Sequence, residues 1–203
     1  MDFKDFNLKI EKKIISNILL IPLVGLLTGV VIGYFFITYS SSLSQKKGEE
    51  FLKQREIQLQ KDRLKLLVNS VIDDIELAQT FHQPYLKLIK QLYSKYKNKY
   101  VFIYKVHNLN GGDRFATMIL NSNRPDLIGK LISDNYTDIK GFAFRKEMLR
   151  LIRKHGEAFV QYYYKKPNSN QILPKISYFK YYKPLSLIIA SGVYLDDIDH
   201  IVC

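Results

Sequence analysis

Acidic residues near the end of the chain are the first candidates for chemistry. Asp196, Asp197 and Asp199 are close enough in sequence to suggest a calcium site or an acid–base pair. Their spacing is not that of a calcium-binding loop, which draws oxygen ligands from alternating positions over about twelve residues. No second catalytic element accompanies them, as a two-carboxylate mechanism would require. The residues alone therefore support neither alternative.

A glycine-rich turn, the histidines and the cysteine are the other candidates. The turn NGGD resembles a phosphate loop in composition, but no helix with a suitable lysine follows it. Cys203 is the single cysteine, so no intramolecular disulfide can form. The histidines, none of which has a ligand-like neighbour at helical spacing, are His82, His107, His155 and His200. The sequence thus predicts no metal site, no cofactor and no enzymatic activity.

The composition bears on size and partners. A chain of 203 residues has room for one ordinary domain plus accessory segments, and 47% hydrophobic residues suffice for a core. The net charge of +12 would attract nucleic acid. However, lysine and arginine are spread over nearly every segment, and no recognition motif stands out. We therefore predict a solvated, lysine-rich surface and no nucleic-acid partner.

A long uncharged segment predicts a membrane helix. No charged residue lies between Lys13 and Lys46, and residues 17–39 are predominantly apolar. A helix of that length, at about 1.5 Å per residue, spans a hydrocarbon core of about 30 Å. The run is too long for a signal-peptide core, and no small-residue cleavage site follows it. We interpret it as an uncleaved anchor.

Flanking residues indicate how this helix is oriented and what it contacts. Four lysines precede it, which favours a cytoplasmic N-terminus and places the residues from about 42 onward outside. Gly25, Gly29 and Gly33 recur every four residues and form a small-residue stripe. Such a stripe is either a helix–helix contact face or incidental.

A polar helical run from Leu43 to about Gln83 follows the anchor. It predicts a long stalk helix, which would act as a lever between a distal domain and the bilayer or as a dimer stalk. Pro84 should end or kink it, and YLKLIKQLYSKY predicts a second helix. In the stalk helix, apolar residues at spacings of four, three, four and three predict a coiled-coil or bundle seam. They are Leu64, Val68, Val71, Ile75 and Ala78.

The periodicity changes at Tyr100, where β-branched and aromatic residues predict strands. The predicted order is strand, strand, helix and then three consecutive strands. This order is typical of an α+β module of the PAS-like kind, an antiparallel sheet of about five strands with helices on one face. The predicted segments are a cytoplasmic N-terminus (1–16), a transmembrane helix (17–39), a stalk with a second helix (40–99), a sensor module (100–199) and a truncated junction (200–203).

Several motifs in this order resemble a known family. RPDLIGK, GEAFVQYYYKKP, KISYF and IIASGVYLDDI together resemble a single Cache domain over about residues 45–200. The resemblance implies an extracytoplasmic sensor of the kind found in bacterial chemoreceptors, sensor histidine kinases and diguanylate cyclases. Such domains bind small organic molecules on the sheet, often acetate, lactate, pyruvate or propionate. The resemblance also makes the three aspartates a polar junction towards a second membrane helix.

Two positions depart from the family pattern. The tryptophan that usually precedes the last strand is replaced by Leu185-Ser186-Leu187, and a frequent His-Pro step is here Arg124-Pro125. The first departure would alter packing near the pocket mouth. The second would change which ligand is preferred.

The resemblance also implies a set of pocket residues. The first candidates for donors or walls are Tyr162, Tyr164, Lys175 and Tyr178, followed by Tyr104, Met118 and Arg145. A small carboxylate needs a cation and hydroxyl donors in a partly dry site. Lys175 and Tyr178 lie on opposite sides of an ideal strand, so they converge only if Lys175 sits at its beginning. The alternative is that the tyrosines are ordinary half-buried packing residues of a sheet.

These observations predict a single-pass protein of the bacterial inner membrane with a periplasmic sensor domain. We expect an input module for small carboxylates whose output module is missing, homodimeric through the long helix or paired with a separate signalling protein. The chain would then be a truncated gene product, a separate input subunit or a stand-alone binder. The alternative function is a non-signalling, membrane-anchored binding or assembly protein.

Overall fold

The computed structural model describes residues 3–167 and 169–199, and the chain forms two compact units divided after Leu52. The first unit is the N-terminal part of helix α1 (Phe3–Thr80). By length and composition, α1 is the one helix among the described residues that could cross a membrane. The predicted anchor and stalk segments are both parts of α1, which is continuous. No proline lies between residues 39 and 80, and Gly48 costs a helix only about 1 kcal/mol.

The second unit contains the remaining elements. Helix α1 ends four residues before Pro84, as expected for a residue that cannot continue a helix. In chain order the next elements are α2 (Tyr85–Tyr96), β1 (Val101–Val106), β2 (Ala116–Asn121), β3 (Leu131–Ile132), α3 (Phe144–His155), β4 (Glu157–Lys165), β5 (Ile172–Tyr182), β6 (Leu187–Tyr194) and α4 (Leu195–Asp199).

The strands form one antiparallel sheet in the order β3-β2-β1-β6-β5-β4. The α+β fold with an antiparallel sheet is confirmed, but the sheet has six strands where about five were predicted. The additional strand, β3, consists of Leu131 and Ile132, which pair with β2. Two residues are too few to show an alternating pattern, so the sequence indicated only a loop here.

Helices cover both faces of the sheet, which corrects the prediction of a single covered face. On one face α3 packs through Phe144 and Met148 against residues such as Ile188. On the other face α1 and α2 pack against residues such as Ile189. Strand β6 is central and has consecutive buried residues from Leu187 to Ser191, because a strand between two helical layers has no solvent-facing side.

The predicted seam of α1 has a different partner from the one expected. Its residues, Leu64, Val68, Val71, Ile75 and Ala78, are all buried in the core that α1 shares with α2 and the sheet. The spacing correctly identified an apolar stripe, but the stripe is not free to form a coiled coil with a second chain. A helical period shows which face is buried and does not show what buries it.

Candidate ligand-binding site

A small cavity lies on the face of the sheet that α3 covers. Its volume is about 30 Å³, measured as the space open to the centre of a water-sized sphere. The cationic residues that line it are Arg124, Arg145, Lys165 and Lys175. No carboxylate is among the described lining residues. The cavity is therefore chemically suited to an anion.

Strand alternation explains how the walls of the cavity arise. Side chains two residues apart share a face, so Tyr162 and Tyr164 of β4 both point to the α3 side. On β5 the same rule places Lys175 and Ser177 on that side. Tyr194, opposite Lys175 on β6, completes this part of the wall.

Lys175 is the most unusual residue of the site. It is 6% exposed, and among the described residues its ammonium has neither a hydrogen-bond acceptor nor a carboxylate partner. Instead, Nζ lies 5.2–5.8 Å from the ring centroids of Tyr194, Tyr100, Phe102 and Tyr164. Burial lowers the pKa of the Lys175 ammonium from its ordinary 10.5 to about 8. A buried, unpaired charge of this kind is costly and is stabilised by a counter-ion.

Hydroxyl groups lie beside this cation. The hydroxyls of Tyr162 and Ser177 are 2.9 Å apart and hydrogen-bonded, and the Tyr162 ring stacks on Phe144 with centroids 4.0 Å apart. Burial raises the pKa of the Tyr162 hydroxyl well above its ordinary value. The hydroxyls of Tyr104 and Tyr164 make no hydrogen bond to another described residue, so they are available as donors to a ligand.

Arg145 supplies a second buried cation. It is 8% exposed, its Nη1 donates a hydrogen bond to the Ser133 carbonyl at 3.2 Å, and its Nε has no described partner. Its guanidinium lies 4.8 Å from the ring centroid of Tyr136 and 4.9 Å from that of Phe144. Arg145 is in the first turn of α3, where the helix dipole disfavours a cation. An anion in the cavity would relieve this unfavourable position.

The structure brings together six of the seven predicted site residues. Those that line the cavity are Tyr104, Met118, Arg145, Tyr162, Tyr164 and Lys175. Tyr178 does not. It packs in the core on the α1 side, and its hydroxyl donates a hydrogen bond to Glu157 at 2.6 Å. Lys175 lies inside β5 rather than at its beginning, so a separation of three residues puts the two side chains on opposite faces.

The sequence interpretation missed several lining residues. Among them are Tyr100, Phe102, Asn121, Arg124, Phe144 and Tyr194. Arg124 had been noticed as a departure from the family pattern, and this was a usable signal. Its Nε and Nη2 donate to the two carboxylate oxygens of Asp126, both at 2.7 Å. The aromatic residues gave no such signal, since aromatic side chains are common in any sheet.

The acidic cluster lies outside this cavity. Asp196 and Asp197 each accept a hydrogen bond from the Lys166 ammonium at 2.6 Å. The bond to Asp196 has the larger effect and the bond to Asp197 the next, and together they raise the pKa of Lys166 to about 12. The side chain of Asp199 and residues 200–203, which include His200 and Cys203, lie outside the described residues. Within the described part of the chain, no group of histidine, cysteine and carboxylate side chains is arranged to hold a metal ion.

Comparison with known proteins agrees with this architecture. The methyl-accepting chemotaxis protein McpP of Pseudomonas putida KT2440 is 37% identical over 81 residues, which cover 40% of this chain and 15% of that receptor. A structure described as the basis for carboxylic acid recognition by a Cache chemosensory domain matches with a TM-score of 0.54 at 24% identity, covering 68% of this chain and 94% of that one. A methyl-accepting chemotaxis protein from Vibrio parahaemolyticus RIMD 2210633 matches with a TM-score of 0.56 at 22% identity, covering 72% and 96%. At these identities the two structures show the fold.

The family itself is shown by the sequence. A sequence model described as the Cache domain matches residues 79–199, which is more than half of the chain. Cache domains of chemoreceptors are sensory and not catalytic, so the expectation that the chain is not an enzyme is confirmed. By this sequence match, and in agreement with its fold, the chain belongs to the Cache domain family.

Proposed function

We propose that this chain is the sensory input of a membrane-anchored receptor and binds a short monocarboxylate in the cavity around Lys175. The N-terminus lies in the cytoplasm, α1 crosses the inner membrane near its N-terminal end, and the sheet lies in the periplasm. The lysines that precede the uncharged segment support this orientation. Because the match to McpP spans only 15% of that receptor, an output function for this chain belongs to the proposal.

The unpaired Lys175 ammonium is the observation that carries this proposal. An unpaired ammonium in a dry site is held at a cost, and natural proteins rarely bury a lysine without a partner. A carboxylate would replace the missing counter-ion and accept hydrogen bonds from the unpaired tyrosine hydroxyls. Hydrogen bonds to a charged group contribute about 1.5–3 kcal/mol each. Two or three of them suffice for micromolar to millimolar affinity.

The size of the cavity limits the ligand. One water needs about 10–15 Å³ of such volume, so 30 Å³ holds about two or three waters. The bonded atoms of one carboxylate lie closer together than separate waters do. A ligand of two or three carbons, such as acetate or propionate, therefore matches the space. The similar structure described as recognising a carboxylic acid supports this class of ligand.

Polar contacts join the cavity strands to helix α1 and offer a route for the signal. Glu157, at the start of β4, accepts hydrogen bonds from Lys65 of α1 at 2.8 Å and from Tyr178 of β5 at 2.6 Å. Lys180 of β5 donates to Asn69 of α1 at 2.9 Å. Since β5 also carries Lys175 on its other face, we propose that ligand binding shifts β5 and that these contacts pass the shift to α1.

A second copy of the chain is the partner that we propose for α1. Because the predicted seam faces the sheet, the dimer contact must use another face. On the side of α1 away from the sheet, Leu59, Leu66 and Leu77 are 44%, 68% and 58% exposed. Leu59 and Leu66 are seven residues apart, and Leu77 follows three turns later, which keeps these side chains on one stripe. Exposed apolar stripes of this kind are typical of helix–helix contacts.

The test of the binding proposal is calorimetric titration of the full chain in lipid nanodiscs with acetate, propionate, butyrate and ethylamine. We expect acetate or propionate to bind and ethylamine not to bind. Lys175→Met should abolish binding, whereas Lys180→Met, a matched change on the same strand outside the cavity, should leave it intact. Binding of no carboxylate, or undiminished binding by the Lys175 variant, would sink the proposal.

A further inference from the structure

Gly192 of β6 lies directly under the stem of Lys175. It pairs with Ser177 across the β5–β6 ladder and shares the cavity face of the sheet with Lys175. Its neighbours on that face of β6, Ala190 and Tyr194, both carry side chains. Between Ala190 and Tyr194, the cavity face of β6 at position 192 therefore consists of backbone alone.

A side chain at this position would collide with two cavity residues. A Cβ atom on Gly192 would lie 2.6 Å from Cε of Lys175 and would overlap the Ser177 hydroxyl. It would also lie 2.9 Å from the Ile176 carbonyl oxygen, which belongs to the backbone of β5 and cannot turn away. The methylene stem of Lys175 thus occupies the space that any other residue at 192 would fill.

We infer that Gly192 is a positioning residue, which sets where the Lys175 ammonium lies among the aromatic rings and thereby sets the length of carboxylate that the cavity accepts. This inference rests on the proposed function. With glycine, the stem of Lys175 lies flat against β6, and the ammonium reaches the four rings of Tyr100, Phe102, Tyr164 and Tyr194. With a larger residue, the stem must lift away from β6, and the ammonium moves into the space that the ligand needs.

The same contact has a second consequence for the cavity wall. Ser177 is completely buried and holds the Tyr162 hydroxyl. A methyl group at 192 would turn the Ser177 hydroxyl and break that bond. Gly192 therefore controls the positions of the Lys175 ammonium and the Tyr162 hydroxyl, although it has no side chain and makes no contact with the ligand itself.

Binding and stability of the full chain in nanodiscs test this inference together. Gly192→Ala should weaken acetate binding at least about tenfold, equivalent to about 1.4 kcal/mol, and should weaken propionate binding more. Ser177→Ala is the matched control, because it removes the bond to Tyr162 without displacing Lys175. It should weaken binding by less than about threefold on the same scale. Equal acetate affinity of the Gly192 variant and the wild type would overturn the inference.

A double-mutant cycle on thermal stability tests the contact without any ligand. Lys175→Ala removes Cε, so the added methyl of Gly192→Ala should lower the melting temperature less in that background than in the wild type. Folding of the Gly192 variant only when Lys175 is truncated would support the contact in the same way. The same loss in both backgrounds would overturn it. If the wild type binds no carboxylate, the proposed function fails, while this cycle still decides whether Gly192 positions Lys175.

Discussion

Replacing Lys175 by methionine should stabilise the unliganded protein, although it removes the residue on which the proposed ligand binding depends. Methionine keeps most of the volume of the buried stem and carries no charge. Each pKa unit corresponds to 1.36 kcal/mol, so a fall from 10.5 to about 8 corresponds to about 3 kcal/mol of destabilisation in the charged form. The surrounding rings attract the ammonium and offset part of this cost. About 3 kcal/mol is therefore the largest gain that we expect.

The dependence on pH has a defined sign. The unfolded chain keeps Lys175 protonated up to about pH 10.5, whereas the folded chain releases the proton near pH 8. Between these values the unfolded state binds more protons, so the stability of the wild type rises with pH. The cost of the buried charge is fully present below about pH 8 and disappears towards pH 10.5. The advantage of the methionine variant should therefore be largest at neutral pH and should vanish in alkaline buffer.

Urea unfolding of the full chain in nanodiscs measures this effect. The chain has fifteen tyrosines and no tryptophan, so tyrosine fluorescence reports the transition. With a slope of about 1–3 kcal/mol/M, the largest expected gain would raise the midpoint of the variant by about 1–3 M at pH 7. Acetate at about 100 times its Kd should cancel most of this difference, because it stabilises only the wild type, by about 2.7 kcal/mol. A variant less stable than the wild type at pH 7, or a difference independent of pH, would refute the reasoning.

Two further changes test the assignment of faces. Tyr178→Phe removes the hydroxyl that bonds to Glu157, so it should cost about 1.5–3 kcal/mol in urea unfolding and leave acetate affinity unchanged. A marked loss of affinity in calorimetry would place Tyr178 in the site after all. Leu66→Glu should convert the proposed dimer to a monomer in sedimentation velocity, because it puts a charge on the exposed stripe of α1. Ile139→Glu changes a similarly exposed apolar residue elsewhere and should not. A wild type that is monomeric, or a Leu66 variant that remains dimeric, would contradict the proposed dimer.

Most elements of the fold followed from local patterns. The apolar positions Phe144, Met148, Leu149 and Ile152 recur at helical spacing and Gly156 follows them, so the sequence indicates both α3 and its end. Gly156 adopts a φ of 77° at the helix end, and its N–H donates a hydrogen bond to the Ile152 carbonyl at 2.8 Å. Glycine adopts such a conformation without strain, so its position in the sequence is informative. The alternation of β4 likewise puts Tyr162 and Tyr164 on one face.

Other features had no local signal. Tyr100 lines the cavity with a φ of 48°, a left-handed conformation that is unusual for a bulky residue and that its sequence neighbours do not indicate. The role inferred for Gly192 depends on the stem of Lys175, which is seventeen positions away in sequence and reaches it only through strand pairing. A local sequence pattern cannot show a contact that depends on how two strands are aligned in the sheet.

The sequence by itself determined an apolar segment long enough to cross a membrane, the alternating faces of the strands and most of the residue types that line the cavity. These depend on composition and period, which are local properties of the chain. The tertiary structure decided that the apolar stripe of α1 is buried against the sheet, that Tyr178 points away from the cavity, and that Lys175 has aromatic rings but no carboxylate beside it. Each of these depends on which segments pack together. The sequence shows that residue 175 is a lysine and so carries a charge, but its burial and its lack of a carboxylate partner arise only when distant strands meet.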